Sequence, residues 1–174
     1  VQQAVMRFLL PAKTDPGKVN LLGNFAPLEA ESELPRLLKQ AGISRIGQLS
    51  ACRSFAEYQA LARARLNVVV HPQAAASAKD LERRLGIPFV EISHTHGVER
   101  TAEQLDALGR SLGKALDFAA DAARAKEALS AFAARHAGLR IAVGEAVNRN
   151  PFEIAETLLE AGLEEPFVLR TLLT

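Results

Sequence analysis

Hydrophobic residues along this chain occur in two kinds of segment that alternate. Short unbroken apolar runs, such as LNVVV at 66–70, are typical of strands buried on both faces of a parallel sheet. Longer segments with leucine and alanine at helical spacing, such as 29–41, separate these runs. Strand followed by helix recurs along the chain, and this alternation predicts an α/β fold with a parallel sheet and helices on both faces.

Turn and capping residues set the bounds of the predicted elements. Strands are predicted at 19–23, 45–50, 66–70, 88–93 and 139–144, with a final strand or ragged end at 165–173. Helices are predicted at 29–41, 55–64, 74–85 and 151–161. A longer helix, capped by Thr101, runs to about 118 or continues to 136, with or without a break. Segment 12–18 is predicted to be a loop that turns at Asp15-Pro16-Gly17. Glycines at 42, 86, 138 and 162 follow helices and suit left-handed C-caps.

Charge and cysteine content exclude several classes of function. The net charge is +1, from 21 basic and 20 acidic residues, so nothing favours binding to nucleic acid or to an anionic membrane. Cys52 is the single cysteine, so the chain forms neither an internal disulfide nor a cysteine-only metal site. No apolar run reaches the length of a membrane span, and residues 1–11 lack the features of a signal peptide. We therefore expect a cytoplasmic chain. Because it begins with Val1, we also expect it to be a fragment.

Motifs for self-contained nucleotide or hydrolase chemistry are absent from the sequence. No G-x-G-x-x-G, Walker A, C-x-x-C, H-E-x-x-H or G-x-S-x-G pattern occurs. We accordingly predict no catalytic residue and no metal-ligating residue.

Polar and aromatic residues follow three of the predicted strands. Asn24 and Phe25 follow the first strand, His71 follows LNVVV, and Thr95 and His96 follow the strand at 88–93. Parallel strands share one carboxyl edge, where ligands of open α/β sheets bind, so we predict a cofactor-binding edge from these five residues. A plain alternative stays open, in which His71 only ends a strand and bonds to backbone or water. His94 and His96 form a His-x-His pair, a weak metal signal without a third ligand nearby.

Several segments, taken in order, resemble the nitrogenase component 1 family, which includes the molybdenum–iron protein subunits, their cofactor-assembly scaffolds and dark-operative protochlorophyllide reductases. The strand VNLLGNF (19–25) is similar to the family's V-N-x-[IL]-G pattern, and ARLNVVVHP (64–72) to its A-x-[LF]-N-[VL]-V strand. The helix ELPRLLKQAGI (33–43) and the stretch GIPFVEISHTHGVERT (86–101) resemble the elements that follow these strands. The resemblance extends to GLRIAVGEA and ETLLEAGLE within 138–164, and it implies a Rossmann-like, chelatase-like fold.

The resemblance also implies a function and a division into domains. Residues 1–137 resemble the family's middle domain, and 138–174 the first strand-helix-strand of a following domain, or else an extra unit on the same sheet. The parent would receive electrons from an ATP-dependent iron–sulfur reductase through a metallocluster, and would pair with a homologous subunit. It would be an oxidoreductase acting on a bound substrate, with a tetrapyrrole as the substrate in some branches. Alternatives are a cofactor-assembly scaffold holding a cluster precursor, or a plain ligand-binding Rossmann-like module.

The resemblance singles out His71 among the predicted site residues. In the resembling catalytic subunit, a cysteine just after the L-N-L-V strand anchors the cofactor, and His71 or a neighbour occupies that place here. We expect the isolated chain to bind no cofactor and to be inactive.

Overall fold

The computed structural model describes residues 2–29, 31–144, 151–163 and 167–169. The chain divides into two compact units. The first consists of Val1–His94 and Gln104–Leu116, and the second of Thr95–Glu103 and Asp117–Thr174.

The first unit is built on a four-stranded sheet in which every neighbouring pair of strands is parallel. Its strands are β1 Asp15–Leu22, β2 Arg45–Gln48, β3 Ala64–Val69 and β4 Phe89–Glu91, in the order β2-β1-β3-β4. The prediction of a parallel α/β sheet is confirmed, and β3, which contains the first four residues of LNVVV, is one of the two central strands.

The start of β1 differs from the prediction, because the strand runs through Pro16 and Gly17 instead of turning there. Asp15 pairs with Ala64 and Val19 pairs with Leu66, so β1 has more residues than β3 between these two pairs. This irregularity takes the extra residues out of the regular ladder, which makes a proline tolerable inside the strand. The predicted loop at 12–18 is therefore wrong over its second half.

The bounds of the helices differ from those that the apolar pattern suggests. The helices are α1 Gln2–Met6, α2 Glu33–Gln40, α3 Phe55–Gln59 and α4 Ala75–Leu85, followed by α5 Val98–Leu112, of which the residues from Gln104 onward belong to the first unit. The predicted helix at 55–64 is half α-helix, because Ala60–Arg63 is a 3₁₀ turn. Thr101 does not cap α5: the helix begins at Val98, and the Thr101 hydroxyl donates to the Gly97 carbonyl at 2.8 Å.

The long helix predicted from Thr101 is broken into two helices, α5 and a second helix at Ala119–Arg135. It is interrupted after α5, where Gly113 has a φ of 67°. The four glycines predicted as caps all have positive φ.

Two buried layers of side chains flank the sheet of the first unit. On one face, Leu22 and Val69 belong to a cluster that includes Leu81 of α4 and also Met6 and Leu9. Val19, Leu21 and Val68 alternate with these residues and point to the other face. Val70 is the last residue of the run LNVVV, whose pattern predicts burial on both faces, but it is only half-buried because it lies just past the end of β3.

The sequence pattern assigns no element to residues 1–11, yet they complete the first layer of the core. Met6 and Leu9 are each 1% exposed. The guanidinium of Arg84 donates to the Met6 carbonyl at 2.9 Å and also binds Asp80, so an ion pair on α4 holds the end of α1.

The second unit contains α6 Ala119–Arg135, α7 Pro151–Glu160 and a two-stranded parallel sheet. Its strands are β5 Ala142–Gly144 and β6 Phe167–Leu169, which pair with each other in a sheet separate from that of the first unit. β5 is shorter than predicted, and the rest of the predicted final strand, 165–166 and 170–173, lies outside the described residues.

Candidate ligand-binding site at the strand ends

The loops that follow β1 and β3 meet at the carboxyl edge of the first sheet. The rings of Phe25 and His71 lie edge to face, with centroids 6.1 Å apart and planes at 70°. Gly23, with a φ of 101°, lies directly against His71: a Cβ at this glycine would be 2.7 Å from the His71 Cβ. The close approach of the two loops therefore depends on a glycine at this position.

His71 also organises the chain that follows it. It is the N-cap of the 3₁₀ turn Pro72–Ala74, and its Nδ1 accepts the backbone N–H of Gln73 at 3.2 Å. The ring is half-buried. The plain alternative for His71 was that it only ends a strand and bonds to backbone or water. Its Nδ1 fits that alternative, because it bonds to the backbone of Gln73.

The amide group of Asn24 bonds both to its own loop and to the end of β2. Its Nδ2 donates to the Ala26 carbonyl at 3.1 Å and to Gln48 Oε1 at 2.5 Å. Gln48 Oε1 also accepts the backbone N–H of Leu28 at 2.9 Å. Asn24 is therefore a residue that shapes the loop carrying Phe25.

Gln48 is a positioning residue that the sequence reasoning missed. It ends β2, and its side chain holds the loop 24–28 at both ends. The signal was present in the sequence, since a polar residue at the end of a parallel strand lies at the same edge as the other strand ends. The loop in turn presents Phe25, whose side chain is 80% exposed beside His71.

Thr95 and His96, the other predicted site residues, lie in the second unit and contact Glu153 of α7. The Thr95 hydroxyl and the His96 backbone N–H both donate to Glu153 Oε1. Glu153 is 6% exposed. Burial acts to raise the pKa of this carboxyl, but the hydrogen bonds from Thr95 and His96 and the charge of Arg100 together hold the pKa below its usual value.

This arrangement gives Thr95 and His96 an evident local role. Both residues precede α5 and bind the buried carboxylate of Glu153. Glu153 lies in the first turn of α7, where a negative charge is favourable beside the helix dipole. Sequence reasoning missed Glu153. Its signal was an acidic residue two positions after a helix-initiating proline, Pro151.

The thiol content of the chain does not fit the iron–sulfur cluster that the family resemblance implies. Such clusters are held by four thiolates, and Cys52 is the single cysteine. Burial, followed by the charge of Glu57, raises the pKa of the Cys52 thiol, and the nearby Lys18 offsets this only in part. The thiol donates to the Gln48 carbonyl at 3.4 Å. Within the described residues, His, Cys, Asp and Glu form no group of three that could hold a metal ion.

The described part of the chain also contains no helix long and apolar enough to cross a bilayer.

Comparisons with known proteins converge on one family. The family model described as nitrogenase component 1 type oxidoreductase matches residues 1–169. The nitrogenase iron-molybdenum cofactor biosynthesis protein NifE of Klebsiella pneumoniae is 35% identical over 98 residues, which are 56% of this chain and 20% of that protein. NifE of Rhodobacter capsulatus is 26% identical over 172 residues, which are 92% of this chain and 36% of that protein.

A solved structure shows the same fold. The structure described as nitrogenase Cp1 at pH 6.5 superimposes with a TM-score of 0.64 at 19% identity, covering 95% of this chain and 33% of its own. The fold is accordingly Rossmann-like, as the sequence predicts. The chain spans between a fifth and somewhat over a third of the length of the proteins that it matches.

Proposed function

The chain belongs to the nitrogenase component 1 type oxidoreductase family, and on this premise we propose that it forms part of a cytoplasmic cofactor-assembly scaffold. Such a scaffold holds a metallocluster precursor as cargo and passes it to an acceptor protein. The relatives from Klebsiella pneumoniae, Clostridium pasteurianum and Rhodobacter capsulatus are all named as cofactor biosynthesis proteins, which favours this role.

One observation carries the proposal, namely the contact between Phe25 and His71 at the carboxyl edge of the first sheet. An exposed aromatic ring beside an imidazole supplies an apolar wall and a polar group on two loops that Gly23 brings together. A site that holds cargo and later releases it needs contacts of this kind more than it needs thiolate bonds. The single half-buried thiol of the chain agrees with that requirement.

We also propose that the chain provides one whole domain of a longer protein and the beginning of a second. Residues 1–137 would be its middle Rossmann-like domain, and 138–174 the start of the next. The pairing of β5 with β6 in a separate sheet supports a second domain over an extra unit on the first sheet. Asn24, Phe25 and His71 would form one wall of the pocket in the first unit. Thr95 and His96 would bind Glu153 within the second unit.

A second candidate function rests on the description of the family as oxidoreductases. In that role the whole protein would pair with a homologous subunit and receive electrons from an ATP-dependent iron–sulfur reductase, and cluster ligands would come from outside this chain. The cargo would then be a resident cluster or a reducible substrate such as a tetrapyrrole.

The two candidates differ in what leaves the protein. The whole protein that contains this chain is purified without oxygen, supplied with ferrous iron and sulfide, and analysed for bound iron and for absorption by a cluster. It is then mixed with a cluster-free acceptor protein. We expect iron and sulfide to move to the acceptor, and Phe25→Ala to reduce the amount initially retained.

A protein that keeps its iron, and whose cluster is reduced by an ATP-dependent reductase, would instead have the oxidoreductase role. A protein that binds no iron when it is supplied with ferrous iron and sulfide would contradict both candidates. Phe55→Ala is the matched control, because Phe55 is a comparably exposed phenylalanine of the first unit, 72% against 80% for Phe25, and its ring contacts Tyr58.

A further inference from the structure

The hydrogen bond at His71 determines which ring nitrogen carries the proton. A backbone N–H can only donate, so His71 Nδ1 must present its lone pair to the N–H of Gln73, 3.2 Å away. A neutral imidazole has one protonated and one unprotonated nitrogen, so the proton of His71 resides on Nε2.

This tautomer is unsuited to binding a metal ion. A neutral imidazole binds a metal through an unprotonated nitrogen while the other nitrogen donates to an acceptor. At His71 the neighbour of Nδ1 is a donor, so moving the proton to Nδ1 would direct two N–H groups at each other. Ligation through Nε2 would therefore cost the cap of the turn that follows β3.

Nε2 is the nitrogen of His71 that remains for a ligand. Among the described residues, no side chain or backbone group forms a hydrogen bond with it. Phe25 contacts the same ring and bounds one side with an apolar surface. Gly23 lies so close to His71 that there is no room for a side chain between the two residues.

We propose that His71 recognises its ligand by donating a hydrogen bond from Nε2–H to an anionic acceptor, and not by coordinating a metal ion. The ligand class is a bulky molecule that carries such an acceptor beside a surface able to pack on Phe25. A bridging sulfide of a cluster precursor and a carboxylate share this chemistry. The inference rests on the proposed function for the identity of the ligand, whereas the tautomer is a property of the chain alone.

The tautomer is measured on the 174-residue chain with ¹⁵N-labelled histidine, in mildly alkaline buffer where an imidazole is neutral. We expect the His71 signals to show a protonated Nε2 and an unprotonated Nδ1, and His71→Asn identifies those signals by removing them. A protonated Nδ1 would overturn the inference and leave the scaffold proposal untouched.

Ligand titrations of the same sample separate the two modes of binding. Zn²⁺ alone should leave both ring nitrogens of His71 unchanged, and a shift of Nε2 to a metal-bound position would overturn the inference. Acetate alone and hydrosulfide alone should each be tested for a shift of the Nε2–H signal. The anion that produces the larger shift identifies the preferred acceptor, and a lack of response to both contradicts the donor role.

Two substitutions separate the cap from the donor. His71→Asn keeps a side-chain acceptor for the Gln73 N–H but lacks Nε2, whereas His71→Ala lacks both. We expect the Asn variant to melt at a temperature close to that of the wild type and the Ala variant to melt lower. Both variants of the whole protein should retain cargo about tenfold less tightly, or worse, because a hydrogen bond to a charged group is lost. Unchanged retention in His71→Asn would overturn the inference even if the scaffold role holds.

Discussion

Asn20 and Asn67 are direct partners on the neighbouring strands β1 and β3, and Asn20 Nδ2 donates to Asn67 Oδ1 at 2.9 Å. Both side chains are buried, at 1% and 0% exposure. Asn20 Nδ2 also donates to the Leu61 carbonyl at 2.9 Å. A slip of one residue between the strands would leave two amides in the core without each other, so the pair specifies the register on which the meeting of Phe25 and His71 depends.

We expect Asn20→Leu to destabilise the chain more than Asn67→Leu. The first substitution leaves the Asn67 amide and the Leu61 carbonyl without this donor, while the second leaves Asn20 with its bond to Leu61. Each loss should cost about 1–3 kcal/mol in urea unfolding. The double variant should cost less than the two single losses added together, since no unpaired amide then remains. Strict additivity would show that the pair contributes no coupling.

Gly23→Ala should disturb the candidate site beyond the ordinary cost of a left-handed residue. The new Cβ would lie 2.7 Å from the His71 Cβ, and φ is 101°. Gly86→Ala is the matched control, because Gly86 also has positive φ, 68°, but has open space around its Cβ. The control should lose about 1–2 kcal/mol. Gly23→Ala should lose more and should shift the His71 ring signals, and equal losses would contradict the close contact.

Val69→Asp should lower the free energy of unfolding by several kcal/mol, because it places an unpaired charge in the buried cluster of the first unit. Val70→Asp, one residue further along, should be tolerated far better, since Val70 is half-buried past the end of β3. Chemical denaturation measures both variants. Wild-type stability in Val69→Asp would remove the assignment of β3 to the core.

Acid should weaken the attachment of α1 to α4. Hydrogen bonds from Arg84 and Arg83 hold the pKa of Asp80 below its usual value. The ion pair therefore stabilises the folded state fully at pH values above the pKa of an aspartate in the unfolded chain, about 4. That stability is lost as the pH falls through the lower pKa of the folded state. Asp80→Asn should cost about 1.5–3 kcal/mol at neutral pH and should flatten the dependence in acid.

Asp121→Asn serves as the control for the acid experiment. Asp121 pairs with Arg124 near the surface, where the aspartate side chain is 33% exposed and the arginine 77%. Such pairs contribute about 0–1 kcal/mol. The unfolding free energy of this variant should therefore follow the wild-type pH curve. If both variants flatten the curve equally, the ion pair of Asp80 is not its source.

Thr95→Val should raise the pKa of Glu153, because it removes a donor to the charged carboxylate while burial continues to favour the neutral form. The variant should lose about 1–3 kcal/mol at neutral pH, and a carboxyl-labelled NMR titration should show the raised pKa. Thr101→Val is the control, since its hydroxyl donates to the carbonyl of Gly97, the residue before α5, and not to Glu153. An unchanged pKa of Glu153 in Thr95→Val would contradict the structural role of Thr95.

Sequence alone determined the alternation of strands and helices, the parallel sheet and the glycine ends of the helices. These features follow from local properties: apolar period, strand composition and the left-handed preference of glycine. The predicted parallel sheet also implied that Phe25 and His71 lie at the same edge, because the carboxyl ends of parallel strands share one side whatever the strand order.

Only the tertiary structure decided the features that depend on strand order and register. The β1 irregularity admits Pro16 into a strand, Met6 and Leu9 enter the core without a periodic pattern, and Gln48 reaches the loop after β1 because β2 is its neighbour. Glu153 meets Thr95 across 58 positions of the chain. Contacts between residues so far apart in sequence are set by packing and pairing of whole elements, which no local pattern encodes.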